Sequence, residues 1–469
     1  MKLTFIGAGG VRTPLVVQSI LNFQDRLPLQ TVCMMDIDAE KLELIKLACK
    51  PRLARNVKFQ IEWTTDARKA IQGADFIVTT FREGSLESRV IDEQVPLKYG
   101  VLGQETTGPG GFAMGLRTVP VVLRYVEMIK KYAPHAWLLN FTNPAGIITE
   151  AITRVGGFER AVGICDNPPA MVRAAAEFLQ VSPEQLFPEY YGLNHLGWMR
   201  ALYLNGENVI PRMIRTIRET GAFLEHFPFD IEEVQSLGSI PNEYVYFYYS
   251  PRKSVDNLLK AGQSRALQIL PFNQELYASL RRIRDEEQDP AEVQRVYLRY
   301  LSQRHSTYMT LETGKDTTKA ALDELAAGGQ DANQAMDDSA EGYSAVALSV
   351  IEALTVSPKV MILNVPNRSA LPGMAEDDVI ETTCLVGNGV VRPFAMGSLP
   401  DADLGLMKSV KAYERLTIDA AVQDSYELAL KALAQHPLVP GFDIARSILD
   451  DYLEQHGDYF PKLGYTKKG

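Results

Sequence analysis

Two short stretches carry residue types that could do metal chemistry. Ile164-Cys165-Asp166-Asn167-Pro168 holds a cysteine sulfur, and Tyr191-Gly192-Leu193-Asn194-His195-Leu196-Gly197-Trp198 holds an imidazole, each where an apolar run breaks into polar residues. A closed structural site needs four ligands at short spacing, which this pair does not offer. A single cysteine is also most often a small buried hydrophobe. An open catalytic site is different, because it can use few protein ligands and complete its shell with substrate and water. The N-terminal stretch favours that second reading. Leu3-Thr4-Phe5-Ile6 runs straight into Gly7-Ala8-Gly9-Gly10, and Val16, Ile20 and Phe23 then recur at helical spacing, with Leu15 and Leu21 widening the apolar face. Strand, glycine turn and helix are the context in which a dinucleotide fingerprint is meaningful. The glycines admit a pyrophosphate to the backbone, and the helix N-terminus faces its charge. Arg12 or Thr13 stands near the place of the third fingerprint glycine. Val32-Cys33-Met34-Met35 reads as the second strand and ends at Asp36, an acid placed to accept hydrogen bonds from the adenosine ribose, which favours NAD over NADP. The plain alternative for Asp36 is a solvated turn residue.

These residues need strands and helices to hold them. Val57 to Trp63 alternates apolar and polar as a half-buried strand does, and Phe76-Ile77-Val78-Thr79-Thr80 reads as a buried one. Arg82 and Arg89 follow it, on the side of an open α/β sheet where ligands bind. Gly100 to Phe112 is the most glycine-dense stretch and reads as a loop that something approaches closely, followed by a helix from about Arg117 to Tyr132. The strand Ala136–Phe141 ends in Thr142-Asn143-Pro144, and Val162-Gly163-Ile164 leads to Cys165 and Asp166. From Asn208 onward the pattern turns mostly helical. The four tyrosines of Ile240–Tyr249 suit an aromatic packing face, residues 276–304 a charged amphipathic helix, and residues 314–340 are acidic and rich in Ala and Gly. A helix Ser344–Leu354, a strand Lys359–Asn364, further β structure around Val379–Val391 and two C-terminal helices complete the expectation. It is an α/β fold: an N-terminal Rossmann-type parallel sheet (1–198, NAD-binding), then a largely helical α/β substrate-binding and oligomerisation domain (199–469), as in lactate/malate dehydrogenase-like proteins.

The chain has 469 residues, 46% hydrophobic and 23% charged, the balance of an ordinary soluble protein. A net charge of -10 and a pI near 5.3 argue against a nucleic-acid partner, which would want a basic face. Cys33, Cys49, Cys165 and Cys384 are sparse and lack CxxC spacing, which fits a reducing compartment rather than a disulfide scaffold. No run is long enough to span a bilayer, and the N-terminus enters a strand with no signal-peptide pattern, so the expectation is a cytoplasmic protein with no membrane partner.

Taken together the motifs resemble family 4 of the glycoside hydrolases, nearly end to end. The resemblance rests on Gly7-x-Gly9 with Thr13-Pro14, Asp92-Glu93 through Pro96-Leu97-Lys98-Tyr99-Gly100, and Gly103-Gln104-Glu105-Thr106. It rests equally on Asn140-Phe141-Thr142-Asn143-Pro144, Cys165, Gly192-Leu193-Asn194-His195 and Pro437-Leu438-Val439-Pro440. The resemblance implies a mechanism outside the two-carboxylate rule. NAD⁺ takes hydride from sugar C3, a base removes the acidified C2 proton, the aglycone leaves C1, water adds back, and the hydride returns to C3. A divalent metal, commonly Mn²⁺, binds the C2 and C3 oxygens. It further implies Cys165 and His195 as metal ligands and Tyr244 as the C2 base, a phenol that a nearby cation would make more acidic. Asn143, Arg89 and Arg265 would bind substrate, Arg265 at the 6-phosphate, and Gly7, Gly9, Gly10 and Asp36 would hold NAD. A homodimer or homotetramer is implied as well.

The chain departs from the family pattern in places. Asp166 follows the metal cysteine, where many β-specific members have Asn and α-specific 6-phospho-glucosidases use Asp as acid for the leaving group. Gly9-Gly10-Val11-Arg12 replaces the usual turn, and Glu341-Gly342 stands, before the helix near Tyr343, in place of an Arg-Gly-Gly run. The set as a whole is most similar to 6-phospho-β-glucosidases. The alternatives are a 6-phospho-α-glucosidase or unphosphorylated glycosidase of the same family, an NAD-dependent sugar dehydrogenase that would accumulate NADH, and a sugar-nucleotide sensor without turnover.

Overall fold

The computed structural model describes residues 1–54, 56–221, 227–286, 290–314 and 345–464; the Glu341-Gly342 departure, Tyr343 and nearly all of the acidic stretch 314–340 lie outside the described residues. Along β1 (Lys2–Ile6) the side chains alternate: Leu3 and Phe5 enter one apolar layer and Ile6 the other. β2 (Thr31–Met35) splits likewise, Val32 and Met34 against Cys33 and Met35. A strand covered on both faces is apolar at consecutive positions, which is why these segments read as runs rather than as alternation. β3 (Gln60–Thr64), β4 (Phe76–Thr79), β5 (Trp137–Asn140) and β6 (Ala161–Gly163) complete a parallel sheet of order β3-β2-β1-β4-β5-β6, the doubly wound order expected.

After the helix Asn167–Leu179, β7 (Leu186–Leu193) and β8 (Leu196–Leu204) form an antiparallel hairpin, joined at its far end by β9 (Glu207–Asn208) and on its other edge by β10 (Ile240–Pro241). Residue 198 lies within β8. The main sheet then continues with strands from the second half of the chain. β11 (Lys359–Pro366) runs antiparallel to β6, and β12 (Val379–Gly387) and β13 (Val390–Pro393) extend it to nine strands. Gly163 permits the junction: a Cβ there would lie 2.7 Å from the Asn364 Cβ and 2.3 Å from Thr149 Oγ1. The two halves therefore share one sheet.

Three expectations change. The helix expected from about Arg117 starts at Gly108 and runs to Tyr132, so the second half of the glycine-dense stretch is helical. Its glycines are needed for close packing, since a Cβ on Gly110 would lie 2.1 Å from the Gln104 carbonyl and one on Gly111 2.4 Å from the Thr106 carbonyl. The single amphipathic helix expected at 276–304 is two helices, Arg265–Asp285 and Pro290–Ser306. The C-terminus has three helices rather than two, Asp401–Gln423, Tyr426–Gln435 and Phe442–His456, the break at Asp424 being a left-handed cap. Among the described residues no helix is long and apolar enough to cross a membrane.

The Asp92-Glu93 motif, on the helix Ser85–Leu97, ties these parts together. Asp92 is wholly buried and takes a bidentate pair from Arg117 at 2.6 and 2.7 Å, with His456 Nε2 3.0 Å away. Its backbone carbonyl accepts from Tyr452. Removing one partner of a buried pair leaves the other charge uncompensated. Asp92→Ala should therefore lower stability by about 3–5 kcal/mol, seen as a lower denaturant midpoint, whereas the double replacement Asp92→Leu/Arg117→Leu should recover part of the loss.

Candidate functional site

The tips of β1, β2, β5 and β6 face one end of the sheet, and the candidate residues collect there. Gly7 has φ 104°, and a Cβ on it would lie 2.6 Å from the Phe81 amide, so the turn out of β1 demands glycine. Asp36 ends β2 with its carboxylate facing the same turn: Oδ2 accepts from Gly9 N at 2.8 Å and Oδ1 from Asp38 N at 2.9 Å. From the second half of the chain, the Tyr277 and Tyr297 hydroxyls donate to the carbonyls of Gly9 and Val11, each at 2.9 Å. Gly10 continues the turn, its amide donating to the Gly7 carbonyl. The loop is thus a cradle that a dinucleotide pyrophosphate and ribose fit, with Asp36 beside it.

Cys165 at the tip of β6 and His195 in the turn of the β7–β8 hairpin come together, Sγ to Nε2 3.6 Å. The turn has two residues, because Leu193 pairs with Leu196, and His195 adopts φ 62°, a left-handed conformation in which histidine is among the better tolerated residues. Its tautomer follows from its neighbours. Thr106 Oγ1 donates to Gln104 Oε1 at 2.9 Å, an oxygen that can only accept. Toward His195 the hydroxyl oxygen must then accept, so Nδ1 carries the hydrogen in the 2.7 Å contact and Nε2 keeps its lone pair for the side facing Cys165. Burial pushes His195 down to about 4, so the ring is neutral at pH 7. Burial also pushes the Cys165 thiol well above its ordinary value, and the negative charges of Glu381 and Asp166 add to this.

The pair fits a divalent ion. Arms of roughly 2.3 Å to sulfur and 2.1 Å to nitrogen span such a separation when opened to about 110°. Among the described residues no third His, Cys, Asp or Glu joins them, so substrate and water would complete the shell, as in an open catalytic site. Behind the pair, the buried Glu381 accepts from Tyr190, Asn194 and Asn364, which fixes the hairpin turn on one side as Thr106 does on the other.

Tyr244 meets this pair directly. Its ring stacks on His195 with centroids 3.8 Å apart and planes 3° from parallel. Asn242 caps the short helical turn that carries it, accepting from Tyr244 N. Burial holds its phenol well above the ordinary value, with the negative charges of Glu243 and Glu105 adding to the effect. Of the other aromatics in that segment, Tyr246 and Phe247 are core residues, as the packing-face alternative expected, and Tyr249 is exposed. Asn143 stands at the tip of β5, where the Asn143–Pro144 bond is cis, and the buried Asn140 bonds the carbonyls of Thr142 and Ala145 around that turn. Asp166 forms a loose pair with Arg12 at 3.8 Å.

The arginines divide in two. Arg89 is buried between Glu93 at 2.7 Å and Glu105 at 2.8 Å. The other Glu93 oxygen accepts from Ala266 N, which ties Arg89 to the start of the helix that begins at Arg265. Arg265 has no carboxylate partner among the described residues: it donates to Gln268, Thr307 and the Arg304 carbonyl, all neutral acceptors. Burial and the nearby Arg304 charge push it down to about 10. The buried Glu312 acts on Arg265 and Glu105 on Arg304, but neither arginine forms an ion pair among the described residues, and two adjacent cations held by neutral acceptors suit an anionic ligand.

Sequence reasoning missed Gln104 and Thr106 as the orienters of His195, Glu105 as the counter-charge of Arg89, and Arg304, Glu243 and Tyr308 as pocket residues. The Gly103–Thr106 motif was a usable signal for the first three. Nothing in the sequence marks Tyr308, which follows an ordinary amphipathic helix.

A family model described as Family 4 glycosyl hydrolase matches residues 2–181, and one described as Family 4 glycosyl hydrolase C-terminal domain matches residues 190–439. A probable 6-phospho-beta-glucosidase of Bacillus subtilis is 30% identical over 475 residues, 99% of this chain and 98% of the relative. A phospho-alpha-glucosidase of Clostridium acetobutylicum is 29% identical, over 98% of this chain and 99% of its own. Among solved structures, the 6-phospho-beta glucosidase of Thermotoga maritima with manganese, NAD⁺ and glucose-6-phosphate matches with a TM-score of 0.79 at 28% identity, covering 98% of this chain and 99% of that one.

A thiol held protonated by burial must lose its proton to ligate, whereas the His195 nitrogen is already free. Mn²⁺ affinity should therefore rise about tenfold per pH unit between about pH 6 and 8, with one proton released, measured calorimetrically in buffers of different ionisation enthalpy. Cys165→Ser should bind weakly, with a flat pH profile.

Proposed function

We propose, from the premise that this chain belongs to family 4 of the glycosyl hydrolases, that it hydrolyses 6-phospho-β-glucosides, with NAD⁺ and Mn²⁺ as cofactors. The observation that carries this reading is the convergence of Cys165, His195 and Tyr244 at one point beside the glycine turn, with the buried cations Arg265 and Arg304 held by neutral hydrogen-bond acceptors. Gly7, Gly9, Gly10 and Asp36 hold the dinucleotide, and Cys165 and His195 hold the metal. When bound, these groups supply a hydride acceptor for sugar C3 and a Lewis acid for the C2 and C3 oxygens. The chain's own residues do the rest. With C3 oxidised, the C2 proton is α to a carbonyl; Tyr244 removes it, and the aglycone leaves C1. Tyr244 returns the proton once water has added. Asn143 contacts the sugar, and Arg265 takes the 6-phosphate through its planar fork. Arg89, expected to bind substrate, has its guanidinium taken by Glu93 and Glu105, and its role on this reading is to brace the pocket wall.

Asp166 beside the metal cysteine favours a second reading, an α-glucoside substrate with Asp166 as acid for the leaving group. The β reading is preferred because the motif set as a whole, including Gly192–Trp198, is most similar to 6-phospho-β-glucosidases, in line with the 30% identical Bacillus subtilis relative. We also propose a cytoplasmic homodimer or homotetramer.

Two substitutions should fail differently. Tyr244→Phe should suppress exchange of the C2 proton with solvent deuterium while substrate still binds. Arg265→Ala should raise KM for 6-phospho-glucosides by about ten- to a hundredfold, equivalent to roughly 1.5–3 kcal/mol for hydrogen bonds to a charged group, with little change for plain glucosides. Unchanged C2 exchange in the first, or equal losses on both substrates in the second, would contradict the respective assignment. A panel of p-nitrophenyl α- and β-glucosides, with and without 6-phosphate, reads the anomeric preference directly.

A further inference from the structure

Tyr244 does not stand alone. Its hydroxyl lies 2.9 Å from the Tyr308 hydroxyl, and Tyr308 lies 2.7 Å from Glu243 Oε1. Both separations are those of O–H···O hydrogen bonds. Tyr308 reaches the pocket from the turn after the helix Pro290–Ser306, where its amide bonds the His305 carbonyl and Met309 takes a left-handed conformation. The residue is 44% exposed. The direction of the chain follows from donor counting. An ionised Glu243 can only accept, so the single Tyr308 proton goes to it, and the Tyr308 oxygen is left to accept from Tyr244.

We propose that Tyr308 and Glu243 are positioning residues that form a proton relay for the base, leading from Tyr244 through Tyr308 to the Glu243 carboxylate. The inference rests on the reading of Tyr244 as the C2 base. In the relay the Tyr244 O–H bond breaks as its proton passes to the Tyr308 oxygen, and the Tyr308 proton passes to Glu243 Oε1. The products are a Tyr244 phenolate and a neutral Glu243 acid. No electron is transferred and the net charge of the pocket does not change. The phenolate then takes the C2 proton, and the steps reverse when C2 is protonated again.

The surroundings suit this role. Glu243 faces Tyr308, Tyr244, Asp166 and Asn167, and burial with the Asp166 charge pushes it up to about 7, where an acid both takes and releases a proton near neutrality. The hydrogen-bonded chain gives the phenol's proton a defined acceptor inside the pocket, the Glu243 carboxylate. The exchange is a relocation of one negative charge over two hydrogen bonds, so the pocket need not stabilise a new one.

The test uses Tyr308→Phe, Glu243→Gln and Tyr244→Phe in the NAD⁺- and Mn²⁺-loaded enzyme, with p-nitrophenyl 6-phospho-β-glucoside and its C2- and C3-deuterated forms. The relay requires that Tyr308→Phe and Glu243→Gln each lower kcat at least tenfold, leave KM within about twofold, and raise the C2 isotope effect relative to that at C3. Glu243→Gln keeps an acceptor oxygen but cannot take a proton. Wild-type kcat in that variant beside an impaired Tyr308→Phe would reduce Tyr308 to a static hydrogen bond and overturn the relay. So would wild-type kcat in Tyr308→Phe, or losses confined to KM with unchanged isotope effects. If Tyr308→Phe fails to bind NAD⁺ through misfolding, Glu243→Gln decides alone. Retained C2 exchange in Tyr244→Phe would instead sink the base assignment, and only then the relay with it.

Discussion

The orientation of His195 is the constraint on which the site depends. Its backbone is fixed in the left-handed region by a two-residue hairpin turn, its Nδ1 hydrogen is given to Thr106, and one ring face lies against Tyr244. With three of its degrees of freedom taken, the imidazole can present Nε2 only toward Cys165. Cys165, His195 and Tyr244, the proposed metal ligands and base, are thereby placed around one point by elements far apart in sequence: β6, the β7–β8 hairpin, the Gln104–Thr106 loop and the Asn242-capped turn. An imidazole free to rotate would lose the ligand geometry and the stacked phenol together.

Charge is distributed around that point by desolvation. Burial, helped by nearby carboxylates, pushes the Cys165 thiol and the Tyr244 phenol upward, and burial pushes the His195 ring downward, so the polypeptide by itself holds all three neutral. A cation reverses the first two preferences, since it stabilises thiolate and phenolate. The arginines are arranged in the opposite sense. Arg89 is paired with Glu93 and Glu105, whereas among the described residues the hydrogen bonds of Arg265 and Arg304 go to neutral acceptors, with Glu312 and Glu105 acting only through space. On the proposed reading, the first group would take a divalent cation and the arginines a phosphate, the two charged parts of a 6-phosphorylated sugar bound through its C2 and C3 oxygens.

The parallel sheet was legible in the sequence because its strands are covered on both faces, which makes Leu3–Ile6, Val32–Met35 and Phe76–Thr79 short apolar runs between turns. The helix Gly108–Tyr132 was misjudged at its start because glycines that serve close packing look the same as glycines that serve a loop. The strands at Lys359–Asn364 and around Val379–Val391 were legible, but their antiparallel attachment to the main sheet was not, since the pairing of Asn364 with Gly163 joins residues about 200 positions apart and leaves no local period. The same holds for the site. Gly7, Asp36 and Cys165 could be found because each sits at the end of a recognisable strand. Tyr308 and Arg304 act through distance and charge, which a sequence pattern does not record.

The central claim is that the dinucleotide is a catalyst returned in every turnover, with Cys165, His195 and Tyr244 as the surrounding machinery. It is tested most directly by following p-nitrophenol release and absorbance at 340 nm together, with 6-phospho-β-glucoside in large excess over enzyme, NAD⁺ and Mn²⁺. Aglycone should be released over many turnovers, with strict dependence on both cofactors and NADH never exceeding the enzyme concentration. NADH accumulating in step with product would make the protein a dehydrogenase, and release that persists after NAD⁺ is removed would contradict the account altogether.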